Sequence, residues 1–174
     1  MARPKTLPDS EVFAVILQRV AAEGEKSIAF SAISRATGLA GASLVQRYGS
    51  LAKMVEAALA WGWDELDRMA TSAQGATHAA DQAGVKSAQA FLKALTDLVD
   101  TTLPMAALLA ASLRHAPLRP RAAAWRDRVE AILAAHLRDR DAAAMAFAAW
   151  QGQVIWGKHE EKGFRLKDLL KRLG

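Results

Sequence analysis

Apolar residues along this chain recur at helical spacing, in blocks separated by glycine and proline. Val12, Phe13, Ile16, Leu17 and Val20 form one stripe, and Asp9 or Ser10 is placed to cap that helix before Gly24 stops it near Glu23. The stretch "FSAISRATGLAGASLVQRYGS", residues 30–50, predicts two short helices, near 31–37 and 41–48, joined at Thr37-Gly38. Ile33 and Ala36 are expected to face inward from the first, Leu39 to fill the corner, and Leu44 and Tyr48 to face inward from the second. Ser50 caps a longer helix from Leu51 to about Thr71 that buries Met54, Val55, Ala58, Leu59 and Leu66. Residues 72–81, "SAQGATHAAD", are small and polar and predict a linker. Further helices follow at about 82–101, 105–114, from Pro117 to Arg138, and at 141–158. A last amphipathic one carries Phe164, Leu166, Leu169, Leu170 and Leu173.

About nine helices and no alternating stretch predict an all-α fold. Composition agrees: 52% of the 174 residues are apolar, mostly Ala and Leu, which are strong helix formers. The chain has no cysteine, which excludes disulfides and thiolate metal sites and fits a cytoplasmic location. The start, "MARPKTLPDSE", leads into no signal-type apolar segment. The run "AAAMAFAAWQGQVIW", residues 142–156, is too short for a membrane span and holds Gln151 and Gln153, so a soluble protein is expected.

The net charge is +5, unevenly spread. Residues 1–60 carry seven Lys/Arg against five Asp/Glu, residues 61–116 four against six, and residues 117–174 twelve against seven. A basic balance permits nucleic-acid binding, but the most basic stretch is not the one that suggests it.

Helices of seven or eight residues need tertiary support. At 100° per residue, Ser43, Gln46 and Arg47 fall on one arc away from Leu44 and Tyr48, and Gln46 and Arg47 are expected to face solvent. A short helix held from behind that presents a narrow polar stripe suits a DNA major groove. An ordinary helical corner with a solvated face gives the same spacing.

The stretch from about Ser10 to Leu66 resembles the N-terminal domain of the TetR family of bacterial transcriptional regulators. Against the family pattern T-V-R-D-I-A-x-x-A-G-V-S-x-G-T-L-Y-x-H-F-x-S-K, Phe30 stands at Val, Ile33 at Ile, Gly38 at Gly and Leu39 at Val. Ser43 stands at Thr, Leu44 at Leu, Tyr48 at Phe and Ser50 at Ser, without a gap. The resemblance implies a three-helix helix-turn-helix DNA-binding domain over 1–50, a connecting helix over 51–72, and a helical ligand-binding and dimerisation domain over 73–174. It places Ser31, Ala42, Ser43, Gln46, Arg47 and Lys53 at the DNA. The departures are Ala29 for a capping Thr, Val45 for a Tyr and Leu51 for a Lys, so several of the family's phosphate contacts are missing, while Arg47 for a His keeps or strengthens one.

The resemblance further implies a homodimer through the last two helices and a small-molecule pocket. Ala143, Ala144, Ala148 and Gly152 permit close helix approach, and Leu166 and Leu170 add the apolar face of the final helix. Because 142–156 is apolar nearly all round, burial on most sides is expected, in a dimer interface or in the chain's own core. Pocket candidates are Trp63, Phe91, Leu92, Met105, Leu109, Trp125 and Trp150, which serve equally as plain core. Few ionisable residues interrupt these faces, so the expected ligand is apolar or aromatic.

Catalysis has little support. His78, His115, His136 and His159 lack metal-ligand spacing, Asp97 and Asp100 lack a basic partner, and "GLAG" is no phosphate loop. No enzyme, cofactor or metal is expected, and "LRDRD", residues 137–141, predicts a solvated junction. Two function classes remain: a ligand-controlled DNA-binding repressor, and a module of the same fold that binds ligand or protein without an operator.

Overall fold

The computed structural model describes residues 7–78, 84–156 and 165–173. Phe164, His159 and residues 79–83, which the sequence placed in a helix, a loop or a linker, lie outside these. Among the described residues there are nine α-helices, no strand, and two short 3₁₀ turns at Glu25–Ser27 and Ala116–Leu118. The helices are α1 (Asp9–Glu23), α2 (Phe30–Thr37), α3 (Gly41–Tyr48), α4 (Leu51–His78) and α5 (Val85–Thr102). They continue with α6 (Met105–Arg114), α7 (Arg119–Leu137), α8 (Arg140–Trp156) and α9 (Leu166–Leu173). The all-α expectation is met. The chain divides into two compact units: residues 1–65 with 102–121, and residues 66–101 with 122–174.

The first unit is built on α1. Its stripe of Val12, Phe13, Ile16, Leu17 and Val20 is buried, as expected. Its cap is not. Pro8 occupies the N-cap and its carbonyl accepts from the amides of Glu11 and Val12, while no side chain caps the helix. Asp9 is drawn elsewhere by longer-range partners. Where α4 meets α1 and α6 leucine side chains press on Gly62: a Cβ there would lie 2.7 Å from a Leu108 methyl and 2.9 Å from a Leu17 methyl, so only glycine fits without displacing core side chains.

In the second unit Phe91, Leu92, Leu95, Val129, Leu133, Ala146 and Trp150 are fully buried or nearly so. Asp139 caps α8, its Oδ1 accepting from the amides of Asp141 (2.8 Å) and Ala142 (3.0 Å). Residues 138–141 are exposed, so the expected solvated junction is what forms.

Two expectations are corrected. Helix α4 does not end near Thr71 but runs to His78, so residues 72–78 are helix rather than linker. Ala70, Ala73 and Thr77 are buried at helical spacing, and the Thr77 hydroxyl donates to the Ala73 and Gln74 carbonyls at 3.1 and 2.9 Å. Small residues that read as breakers here allow close packing. Ala36 is exposed, and Thr37, one turn beyond Ile33, is buried instead. Of the two alternatives for α8, the chain's own core takes only one side of the helix. Ala142, Ala143, Ala146, Phe147 and Trp150 are buried, while Met145 is 53% and Trp156 68% exposed.

Candidate nucleic-acid interface

The corner between α2 and α3 is set by backbone conformation and two hydroxyls. Gly38 takes the left-handed conformation at φ 74°, and its amide donates to the Ser34 carbonyl at 2.8 Å, closing α2. The Thr37 hydroxyl donates to the Ile33 carbonyl at 2.7 Å and accepts from the Leu39 amide at 3.3 Å. The Ser34 hydroxyl donates to the Leu39 carbonyl at 2.6 Å. These bonds turn the chain sharply, and Leu39 fills the corner as expected. Helix α3 then starts at Ala40, whose carbonyl accepts from Ser43 and Leu44 amides.

From α3, Leu44 is fully buried and Tyr48 half-buried. The Tyr48 ring lies 5.7 Å from Phe13, and its hydroxyl donates to Asp9 Oδ1 at 2.5 Å. Burial, then the Asp9 carboxylate, push the phenol up to about 12. Ala42, Ser43, Val45 and Gln46 are exposed on the opposite side. Ser31, Lys53, Lys26 and Arg35 are also exposed in this unit. Lys26 and Arg35 were not among the residues the sequence singled out, because neither falls on the α3 stripe.

Arg47 is exposed, as expected, but it also has partners. Its Nη1 donates to the Leu7 carbonyl at 2.8 Å, its Nε sits 3.1 Å from Asp9 Oδ1, and its guanidinium lies over the Tyr48 ring at 5.9 Å. The cation is therefore solvent-facing and at the same time paired with the start of α1. Partners some 40 residues away carry no local signal in the sequence.

A second ionic cluster in the same unit also went unread. The Glu25 carboxylate binds Arg114, and its other oxygen lies 2.7 Å from His115 Nε2. Burial pushes the Glu25 carboxyl up, but the bonds and charges of Arg114 and His115 outweigh it and leave the group below the ordinary carboxylate value.

The pocket candidates fall on both units. Trp63, Met105 and Leu109 belong to the first, and Phe91, Leu92, Trp125 and Trp150 to the second. All are buried except Leu109, which is half-buried. In the second unit Trp125, Phe147 and Trp150 form an aromatic cluster with centroids 5.7–6.1 Å apart. Both indole N–H groups are satisfied: Trp125 donates to the Leu66 carbonyl (3.1 Å) and Trp150 to the Thr96 hydroxyl (2.8 Å).

Of the interface candidates, Ala148 is exposed and Ala144, Gly152 and Leu166 are half-exposed. A Cβ on Gly152 would meet nothing within 4 Å. Leu170 is fully buried within the chain's own core, so it is not free to face a partner. Among the described residues no group of His, Cys, Asp and Glu is arranged to hold a metal, and no helix is long and apolar enough to cross a membrane.

No protein-family model matches this chain, and no curated protein does. Solved structures do. A structure titled as a putative transcriptional regulator, SCO7518 from Streptomyces coelicolor A3(2), is 17% identical with a TM-score of 0.64, over 95% of this chain and 96% of that one. AmtR of Mycobacterium smegmatis is 20% identical with a TM-score of 0.66, over 99% and 88%. The multidrug binding protein EbrR, complexed with imidazole, is 18% identical with a TM-score of 0.65, over 97% and 96%. The chain shares the fold of these three structures over nearly its whole length.

Proposed function

We propose that this chain is a DNA-binding transcriptional regulator that works as a homodimer and is released from its operator by a small, mainly apolar molecule. The observation that carries the reading is α3: eight residues locked from behind by Leu44 and Tyr48, with Ser43 and Gln46 turned outward. In this reading residues 1–50 bind DNA, residues 51–72 connect, and residues 73–174 bind ligand and dimerise. Ser31, Ala42, Ser43, Gln46, Arg47 and Lys53 contact the duplex. Two copies read half-sites about 34–36 Å apart.

Support for the dimer comes from the outward face of α8. Ala144, Met145, Ala148, Gly152 and Ile155 share one side of that helix, an apolar stripe on which Met145 and Ala148 are exposed and the other three half-exposed. A second α8 laid on it completes the burial that the sequence calls for. Support for an apolar ligand comes from the aromatic cluster of Trp125, Phe147 and Trp150 in the second unit and from the likeness to EbrR, a multidrug binding protein. The ligand acts by its differential affinity for two arrangements of the reading helices, with a coupling of about 1–3 kcal/mol.

A second reading rests on Arg47 and Ala29. With Arg47 held by Leu7 and Asp9, and Ala29 giving α2 no side-chain cap, the fold serves as a ligand-binding or protein-interaction module without an operator. Selection of duplexes from a random-sequence library by the full-length protein separates the two. An enriched pseudo-palindrome supports the regulator, and no enrichment supports the module.

A further inference from the structure

α3 carries one cation, Arg47, which is exposed but has Nη1 on the Leu7 carbonyl and Nε against Asp9. Beside it Ala42, Ser43, Val45 and Gln46 are exposed and share one arc of about 160° at 100° per residue. Val45 is 45% exposed, one of four large apolar side chains left so open among the described residues. Two of the others, Met145 and Trp156, belong to α8. Val45 is alone in this on the candidate reading helix.

In the major groove each base pair shows its own chemistry. Guanine offers two acceptors that call for Arg or Lys, adenine offers an acceptor and a donor that suit an amide, and thymine offers a methyl group that suits an apolar side chain. Apart from Ser43, whose hydroxyl pairs with either purine, a face of Gln46 flanked by Val45 and Ala42 has no cation for the two-point hold on guanine. It matches both members of A·T pairs: Gln46 for adenine N6 and N7, Val45 for a neighbouring thymine C5 methyl.

We propose that α3 reads A·T pairs, with Val45 seating a thymine methyl beside the adenine held by Gln46. This rests on the DNA-binding reading above and adds the base chemistry to it. Desolvating a large, outward aliphatic side chain against a methyl group is favourable in itself, and it explains an exposure that has no use in the free chain.

The test replaces thymines one at a time by deoxyuridine, which lacks only the C5 methyl, in the duplex that the full-length protein selects from a random library. One thymine in each half-site should be sensitive, its replacement weakening binding about fourfold, the worth of one buried methyl. Val45→Ala should bind the thymine duplex more weakly by a similar factor and no longer distinguish thymine from deoxyuridine at that position. Its unfolding midpoint should equal the parent's, which shows that the loss lies in recognition. If every thymine can be replaced without effect, or if Val45→Ala keeps the parent's discrimination, the inference is wrong while DNA reading stands. If no duplex is enriched at all, both are wrong.

Discussion

The α2–α3 corner and α8 dispose of their apolar residues in opposite ways. In the corner, Ile33, Leu39 and Leu44 are all buried, and a single large apolar side chain, Val45, stays outside. In α8, five residues go inward while Met145, Ala148 and Trp156 stand exposed along the same helix. Two glycines repeat the contrast. Gly62 sits where neighbouring helices leave no room for a Cβ, whereas around Gly152 there is open space. A corner that completes its own packing is rigid and offers a small, defined outer face, which suits recognition of an edge. A stripe left open over several turns is a surface of the size that another helix covers.

The largest effect should come from breaking the open stripe. Ala148→Glu places a charge at the centre of the proposed α8 contact, where burial without a partner is costly. Sedimentation should find the parent a dimer and the variant a monomer with unchanged helix content, because Ala148 is exposed in the single chain. Affinity for a two-half-site duplex should fall about 100-fold or more as the linked second contact is lost. A variant that still sediments as a dimer would place the interface elsewhere.

Next in size is the corner's inner face set against its outer face. Leu44→Ala empties a fully buried position and should cost about 2–5 kcal/mol in urea denaturation. Val45→Ala, the next residue along, should change stability by less than about 0.5 kcal/mol. Similar losses for the two would mean that Val45 is part of the packing and not part of the recognition face.

Smaller again is the difference between Gln46 and Arg47. Gln46→Ala should leave stability unchanged and relax preference at one base pair per half-site by about 1–3 kcal/mol. Arg47→Ala removes the bonds to Leu7 and Asp9 and should cost about 1 kcal/mol in thermal or chemical unfolding, although the side chain is exposed. If its guanidinium exchanges Asp9 for a phosphate on binding DNA, the salt slope also falls by about one. An unchanged slope with lost stability would assign Arg47 to holding the start of α1.

What was legible in the sequence was what local spacing controls. The stripe of α1, the break at Gly38, the plug at Leu39 and the two short helices all follow from periodicity and turn chemistry within a few residues. So does the buried face of α4. Its end was misread because Ser72, Gly75 and Thr77 are breakers by composition, while Ala70, Ala73 and Thr77 sit in register with a core that lies elsewhere in the chain. The candidate site was read in part. The outward set of Ser43 and Gln46 is a property of one helix, but the fate of Arg47 depends on Leu7 and Asp9, and that of Glu25 on Arg114 and His115. Contacts across 40 or 90 residues leave no trace in helical periodicity. For α8 periodicity gave the amount of apolar surface, but not how much of it the chain's own core would take and how much would stay open.

The smallest effect belongs to Glu25, and it probes how the first unit holds the segment leading into α2. The bound carboxylate sits below its ordinary value of 4.5, so the folded state favours the ionised form. Its contribution is fully present above about that pH, and it fades as the pH falls through the lower folded value, where the carboxylate takes up a proton in the folded chain too. Replacing it by Glu25→Gln keeps the shape and removes the charge. At neutral pH the variant should be less stable by a few tenths to about 1 kcal/mol, the worth of a largely surface ionic cluster. Unfolding curves of parent and variant should then converge as the pH is lowered past 4.5, because the parent's Glu25 becomes neutral as well. High salt should narrow the gap at neutral pH by screening the part of the cluster open to solvent. A gap that stays constant down the acid limb would mean that the side chain's packing, and not its charge, ties the 3₁₀ turn at Glu25–Ser27 to the end of α6.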